Sequence, residues 1–122
     1  MKKQVYTSEQ ENIQRICNEV RKDVEKKQFT QGIAATADAM RLYPHAPEPH
    51  NLLGLLLEIT KEKGLAMKHY RAALALDPTY RPARQNMERC GNLHVSDTYA
   101  FDESDCITQK TYAERIKYDS IF

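Results

Sequence analysis

The chain has 122 residues, 41% hydrophobic and 29% charged, with a formal net charge of +1 at pH 7. That is enough apolar material for one domain with a modest helical core, and too little for a large one. The balanced charge argues against a nucleic-acid binder, in which basic residues gather in excess on one face.

Residues 1–7 are polar and read as a frayed end. Ser8 and Glu11 have the spacing of a capping box, which predicts a helix start there. Ile13, Ile16, Val20 and Val24 then recur at three and four residues, a helical stripe that runs out near 26–28. Thr30 is the expected cap of a second helix, which Ile33, Ala34, Ala37 and Met40 carry to Leu42 before Pro44 stops it. After a turn segment at 44–49, a third helix is expected over 49–62, with Leu52, Leu53, Leu56, Leu57 and Ile59. Gly64 is its expected C-terminal glycine. A fourth helix over 65–76 uses Leu65, Met67, Tyr70, Ala73 and Leu76 and ends at Asp77-Pro78. A fifth covers 80–90, with Pro82 in its first turn and Gly91 at its end.

The helices repeat. The stretch ADAMRLYP ends at Pro44 and AALALDP ends at Pro78, 34 residues on. At that shift Ala39 meets Ala73, Leu42 meets Leu76, Gly32 meets Ala66 and Cys17 meets Asn51. Such a period marks stacked helical hairpins, in which small residues on the second helix let two axes approach closely. The expected class is all-α, with a repeat domain at 9–91 and a tail at 92–122.

The tail lies outside the period and reverses the charge. Residues 1–91 hold fifteen basic and eleven acidic residues, whereas the last 31 hold three and six. The tail carries half of the aromatic residues: Tyr99, Phe101, Tyr112, Tyr118 and Phe122. Residues 92–105 read as loop or extended chain. A short helix is expected over 108–118, with Thr111 and Glu114 at capping-box spacing. So aromatic a tail is expected to pack rather than to stay disordered. It caps the last helix, fills a groove through Tyr118, Ile121, Phe122 and the terminal carboxylate, or exchanges between chains.

No catalytic motif is present, neither HExxH, CxxC, GxSxG nor GxxxxGK[ST]. Cys90, His94 and Cys106 offer only three metal ligands across a long loop, a poor set for zinc. Asp102, Glu103 and Asp105 read as a solvated acidic loop. Neither cofactor nor metal is expected, and the chain is not read as an enzyme. Three widely spaced cysteines suggest free thiols. The basic start is followed by no apolar h-region, and no run is long enough to span a bilayer, so a cytoplasmic protein is expected.

On these residues the chain resembles the tetratricopeptide repeat (TPR) family, whose helix-turn-helix unit is 34 residues long. The unit 47–80 matches well: Leu53, Gly54, Leu57, Ala66, Tyr70, Ala73 and Pro78 stand at the unit's preferred positions. The unit 13–46 keeps Gly32, Ala39 and Pro44, and 81–90 stands as a terminal helix. The resemblance implies a short right-handed superhelix of antiparallel hairpins with a concave face. Residues implied to line that face are Gln14, Cys17, Arg21 and Val24 in the first unit. Glu48, Asn51, Leu55 and Glu58 follow in the second, then Gln85 and Arg89 in the last helix. Amide side chains there suit a peptide backbone, and an arginine suits a carboxylate. The clamp by which chaperone adaptors of the family hold an acidic C-terminus is absent, since Cys17, Arg21 and Leu52 stand at its positions. The expected function is an adaptor or chaperone-like module that binds a peptide or partner protein, without nucleic acid or membrane. The alternative is a structural protein that dimerises through its tail or outer face.

Overall fold

The structure, a computed structural model, describes residues 2–91 and 98–106, with side chains from residue 8 onward. Five helices follow one another: α1 (Lys2–Glu25), α2 (Phe29–Leu42), α3 (Pro47–Ile59), α4 (Lys63–Leu76) and α5 (Arg81–Cys90). One 3-10 turn covers Glu103–Asp105, and no strand occurs among the described residues, so the described part of the chain is all-helical, compatible with the expected all-α class. The expected helix 108–118 lies outside the described residues. Helix α1 starts well before the expected cap at Ser8. Its first residues contain neither glycine nor proline, and Lys, Gln and Glu sustain the helix past the serine. Thr30 likewise lies inside α2, whose N-cap is Gln28.

The 34-residue period is visible in the backbone hydrogen bonds. Gln28 N donates to Asp23 O at 2.7 Å, and Glu62 N donates to Leu57 O at 2.8 Å. Lys27 N donates to Val24 O and Lys61 N to Glu58 O. These are the paired bonds of a Schellman closure, which needs a left-handed residue just past the helix. Lys27 (φ 58°) and Lys61 (φ 72°) supply it. The expected C-terminal glycine, Gly64, instead lies within the first turn of α4, and no glycine has positive φ. The chain reverses three residues earlier than the glycine suggested, because α3 ends at Ile59. At the far ends of the hairpins, Tyr43 N bonds Ala39 O and Asp77 N bonds Ala73 O, again one period apart.

Helix α3 touches each of the other four helices. It carries the most buried apolar residues, Leu52, Leu55 and Leu56, which join Val20, Ala66 and Tyr70 in one core cluster. Gly54 makes the α3–α4 approach possible: a Cβ there would stand 2.5 Å from Tyr70 Cε1. Helices α1 and α5 both touch α3, so the first helices of successive units stand in a row.

Candidate functional site

Residues 98–106 interact with all three helices of this row. The contact centres on Ala100, which is fully buried. Asn86 Oδ1 accepts from Ala100 N at 2.8 Å, and Asn86 Nδ2 donates to Ala100 O at 2.8 Å. Asn51 Nδ2 donates to the same carbonyl at 2.9 Å, and Asn86 Nδ2 also donates to Asn51 Oδ1 at 2.8 Å. Two buried amides thus take both polar groups of one residue's backbone, as buried donors and acceptors require.

Downstream, Arg21 on α1 forks onto Asp105: Nη1 to Oδ1 at 2.9 Å and Nη2 to Oδ2 at 2.8 Å. Its Nη2 also reaches Asp102 Oδ2 at 3.2 Å, which accepts from Gln14 Nε2 at 2.8 Å. The Arg21 guanidinium lies 4.7 Å from the centre of the Phe101 ring. Asp102 and Asp105 form a capping box around the 3-10 turn: Asp102 Oδ1 accepts from Ser104 N, and Asp105 Oδ2 accepts from Asp102 N at 3.2 Å and also from Phe101 N. The Asp105 hydrogen bond holds the Arg21 guanidinium above its ordinary value. Burial pushes the Asp102 carboxyl up, but hydrogen bonds from Ser104 and Gln14, with the Arg21 charge, outweigh it and leave it below the usual range. The acidic stretch 102–105 is therefore no freely solvated loop, because two of its carboxylates face a cation.

Arg89 does not present a free charge to the face. Both Nη atoms pair with Glu58, whose Oε1 also accepts from Tyr70 Oη at 2.8 Å. Both ion-pair side chains are nearly buried, and the guanidinium lies 4.3 Å from the centre of the Tyr99 ring.

Of the expected face residues, Gln14, Arg21, Asn51 and Arg89 meet the segment directly, and Glu58 anchors Arg89. Cys17 and Leu55 belong to the core beside Phe101, Val24 packs against that core, and Gln85 is buried. The Cys17 thiol is pushed up to about 12 by burial, then by the Glu48 and Asp102 charges, so it is a poor nucleophile at neutral pH. Strict period carries Asn51 to Gln85, but Asn86, one position on, makes the amide contact. The adjacent amide pair Gln85-Asn86 was the available signal.

Beside the segment lies a solvent-open cavity of about 510 Å³, lined by Gln10, Ile13, Gln14, Cys17, Glu48 and Tyr80 and, on the segment's side, by residues 102–104. Tyr80 is 6% exposed, and its hydroxyl has no hydrogen-bond partner among the described residues. Elsewhere, His50 Nδ1 and His69 Nδ1 stand 3.2 Å apart. Burial holds both rings below the ordinary histidine value. No group of three potential metal ligands occurs among the described residues, and His94 and the tail residues Tyr118, Ile121 and Phe122 lie outside them. No described helix is long and apolar enough to cross a membrane.

No family model matches the chain, and no curated protein or solved structure matches it either.

Proposed function

We propose that the chain is a short TPR-type module, a right-handed superhelix of helical hairpins whose concave face binds an extended peptide or an exposed segment of a partner protein. The observation that carries this is the grip of Asn51 and Asn86 on the Ala100 backbone. Side-chain amides that take both N–H and C=O select extended chain whatever its side chains, as peptide-binding surfaces do. Arg21 adds a fork for a carboxylate. The 34-residue repetition of the Schellman closures supports the repeat class. An adaptor or chaperone-like role in the cytoplasm, without cofactor or catalysis, follows from this reading.

Panning a random peptide library against the full chain, then mapping amide shifts, tests the proposal. Selected peptides are expected to move the side-chain amides of Asn51 and Asn86. Shifts confined to α2 and α4, or no selected peptide at all, would sink it.

Exposed Leu42, Leu65 and Leu76 on α2 and α4 favour a second reading, self-association through the outer face. A dimer in light scattering that Leu42→Glu with Leu76→Glu dissociates is its expected signature. A monomer at high micromolar concentration excludes it.

A further inference from the structure

Residues 98–106 meet the face as a bound peptide would. One small residue is gripped by its backbone, two aromatic rings lie under arginines, and two carboxylates share one guanidinium. The fit is incomplete, for the cavity of about 510 Å³ remains beside the segment. The Tyr80 hydroxyl, buried in its wall, has no partner among the described residues. The grip is also partly solvated. The Arg21 side chain is 29% exposed, and the Arg81–Glu103 pair is open to water at 3.8 Å. The open Arg81–Glu103 pair holds weakly and is screened by salt, whereas the bidentate Arg21 fork, on carboxylates 13% and 22% exposed, is the firmer of the two. The floor, by contrast, is built by the helices alone, since Glu58, Tyr70 and Arg89 bind one another across α3, α4 and α5.

We propose that residues 99–105 are an internal stand-in for the partner, which is an acidic peptide that turns between its two carboxylates and binds by displacing these residues. The proposal rests on the peptide-face reading above and specifies its ligand: aromatic, small, aromatic, aspartate, then a second carboxylate three residues after the first. The small residue is required because Ala100 is fully enclosed beneath Asn51 and Asn86. The carboxylate spacing is set by Arg21, which reaches Asp102 and Asp105 together. A partner that also places a polar group against Tyr80 satisfies a hydroxyl that the internal segment leaves bare. The internal copy then acts as a built-in competitor that keeps the face shut to weak ligands.

The test uses the full chain and a fluorescein-labelled peptide, TYAFDESD, read by anisotropy. Wild type is expected to bind it weakly. The D102N/D105N variant, whose internal segment has lost its charges, is expected to bind at least ten-fold tighter, and adding Arg21→Ala is expected to remove that gain. Ala100→Lys, which expels the segment by size, is the second variant and carries the same expectation if the first does not fold. Equal affinity for wild type and both variants overturns the competitor. A peptide that binds as well with both aspartates changed to asparagine overturns the acidic ligand. If library-selected peptides shift Asn51 and Asn86 while TYAFDESD does not bind, this inference fails and the peptide-face reading stands; if neither binds, both fail. A wild-type dimer that the peptide splits into monomers assigns the face to a second copy and overturns the foreign partner.

Discussion

Asn86 and Ala100 form a closed pair: the asparagine amide accepts from the alanine N–H and donates to the same alanine's carbonyl, each at 2.8 Å and fully buried. Removing the amide leaves four groups short of a bond: Ala100 N–H, part of Ala100 C=O, Asn51 Oδ1, and Arg89 Nη2, which keeps its bond to Glu58. Each orphaned buried group costs roughly 1–3 kcal/mol, partly relieved when the segment moves into water. Asn86→Ala is expected to lower stability by about 2 kcal/mol in urea unfolding. The Ala100 amide is expected to exchange fast while the helices stay protected. An unchanged exchange rate at Ala100 contradicts the pairing.

Gly54 on α3 lies against the Tyr70 ring of α4, and an added Cβ would meet Tyr70 Cε1 at 2.5 Å and Cδ1 at 2.7 Å. The ring has little room to retreat, because Tyr70 is fully buried and tied to Glu58. Gly54→Ala is therefore expected to destabilise by about 1–3 kcal/mol despite alanine's better helix propensity. Gly64→Ala is the control, with nothing within 4 Å of its Cβ, and thermal melts are expected to show no loss there.

The helices and their period were legible because apolar spacing and proline punctuation are local signals. The turn residue was not. Gly64 carries the glycine signature, yet Lys61 takes the left-handed position, because helix length is settled by packing of Leu56 and Leu57 rather than by the nearest glycine. On the face, Arg21 and Asn51 were readable from position within the repeat. Asn86 was missed, since α5 presents the residue one place beyond the period. Tyr99, Ala100 and the two aspartates lie outside the repeat, and tertiary pairing, across 14 and 49 residues for Ala100 and more than 80 for the aspartates, leaves no local trace.

Lys61 adopts φ 72° at a Schellman closure, a conformation that costs a side chain about 1 kcal/mol and glycine almost nothing. Lys61→Gly is expected to raise stability by about 0.5 kcal/mol, the gain being reduced by the greater freedom of glycine in the unfolded chain. Lys27→Gly, one period earlier at φ 58°, is expected to act in the same direction. A lowered melting temperature for both variants would refute the account.

Burial pushes the Glu48 carboxyl above its ordinary value of 4.5, helped by Asp77, Glu9 and Glu103 and opposed by its own backbone N–H. The sign follows from linkage: a raised folded value means the folded state favours the proton, so stability is lost as pH rises through that value. Glu48→Gln removes the charge and keeps the shape. The variant is expected to melt above wild type at pH 7, and the gap is expected to close below pH 4.5, where the wild-type carboxyl is protonated as well. A gap independent of pH would falsify the charge explanation.

The Glu58–Arg89 pair is the face's internal support, with 11% and 13% of its side chains exposed. Glu58→Ala leaves a nearly buried guanidinium without its carboxylate and the Tyr70 hydroxyl without its acceptor. Breaking one side of such a pair costs about 3–5 kcal/mol, whereas replacing both sides with apolar residues is often neutral. E58L/R89M is therefore expected to recover, in urea unfolding, the part of the Glu58→Ala loss due to the stranded guanidinium, whereas the part due to the Tyr70 hydroxyl remains because leucine offers it no acceptor. Arg89 also lies under the Tyr99 ring, so the double variant is expected to release Tyr99 even where the helices are fully stable. Tyrosine ring shifts in the folded double variant separate the two roles. A Tyr99 resonance that keeps its wild-type position assigns the pair to stability alone, and one that moves to its free value assigns it to holding the segment on the face.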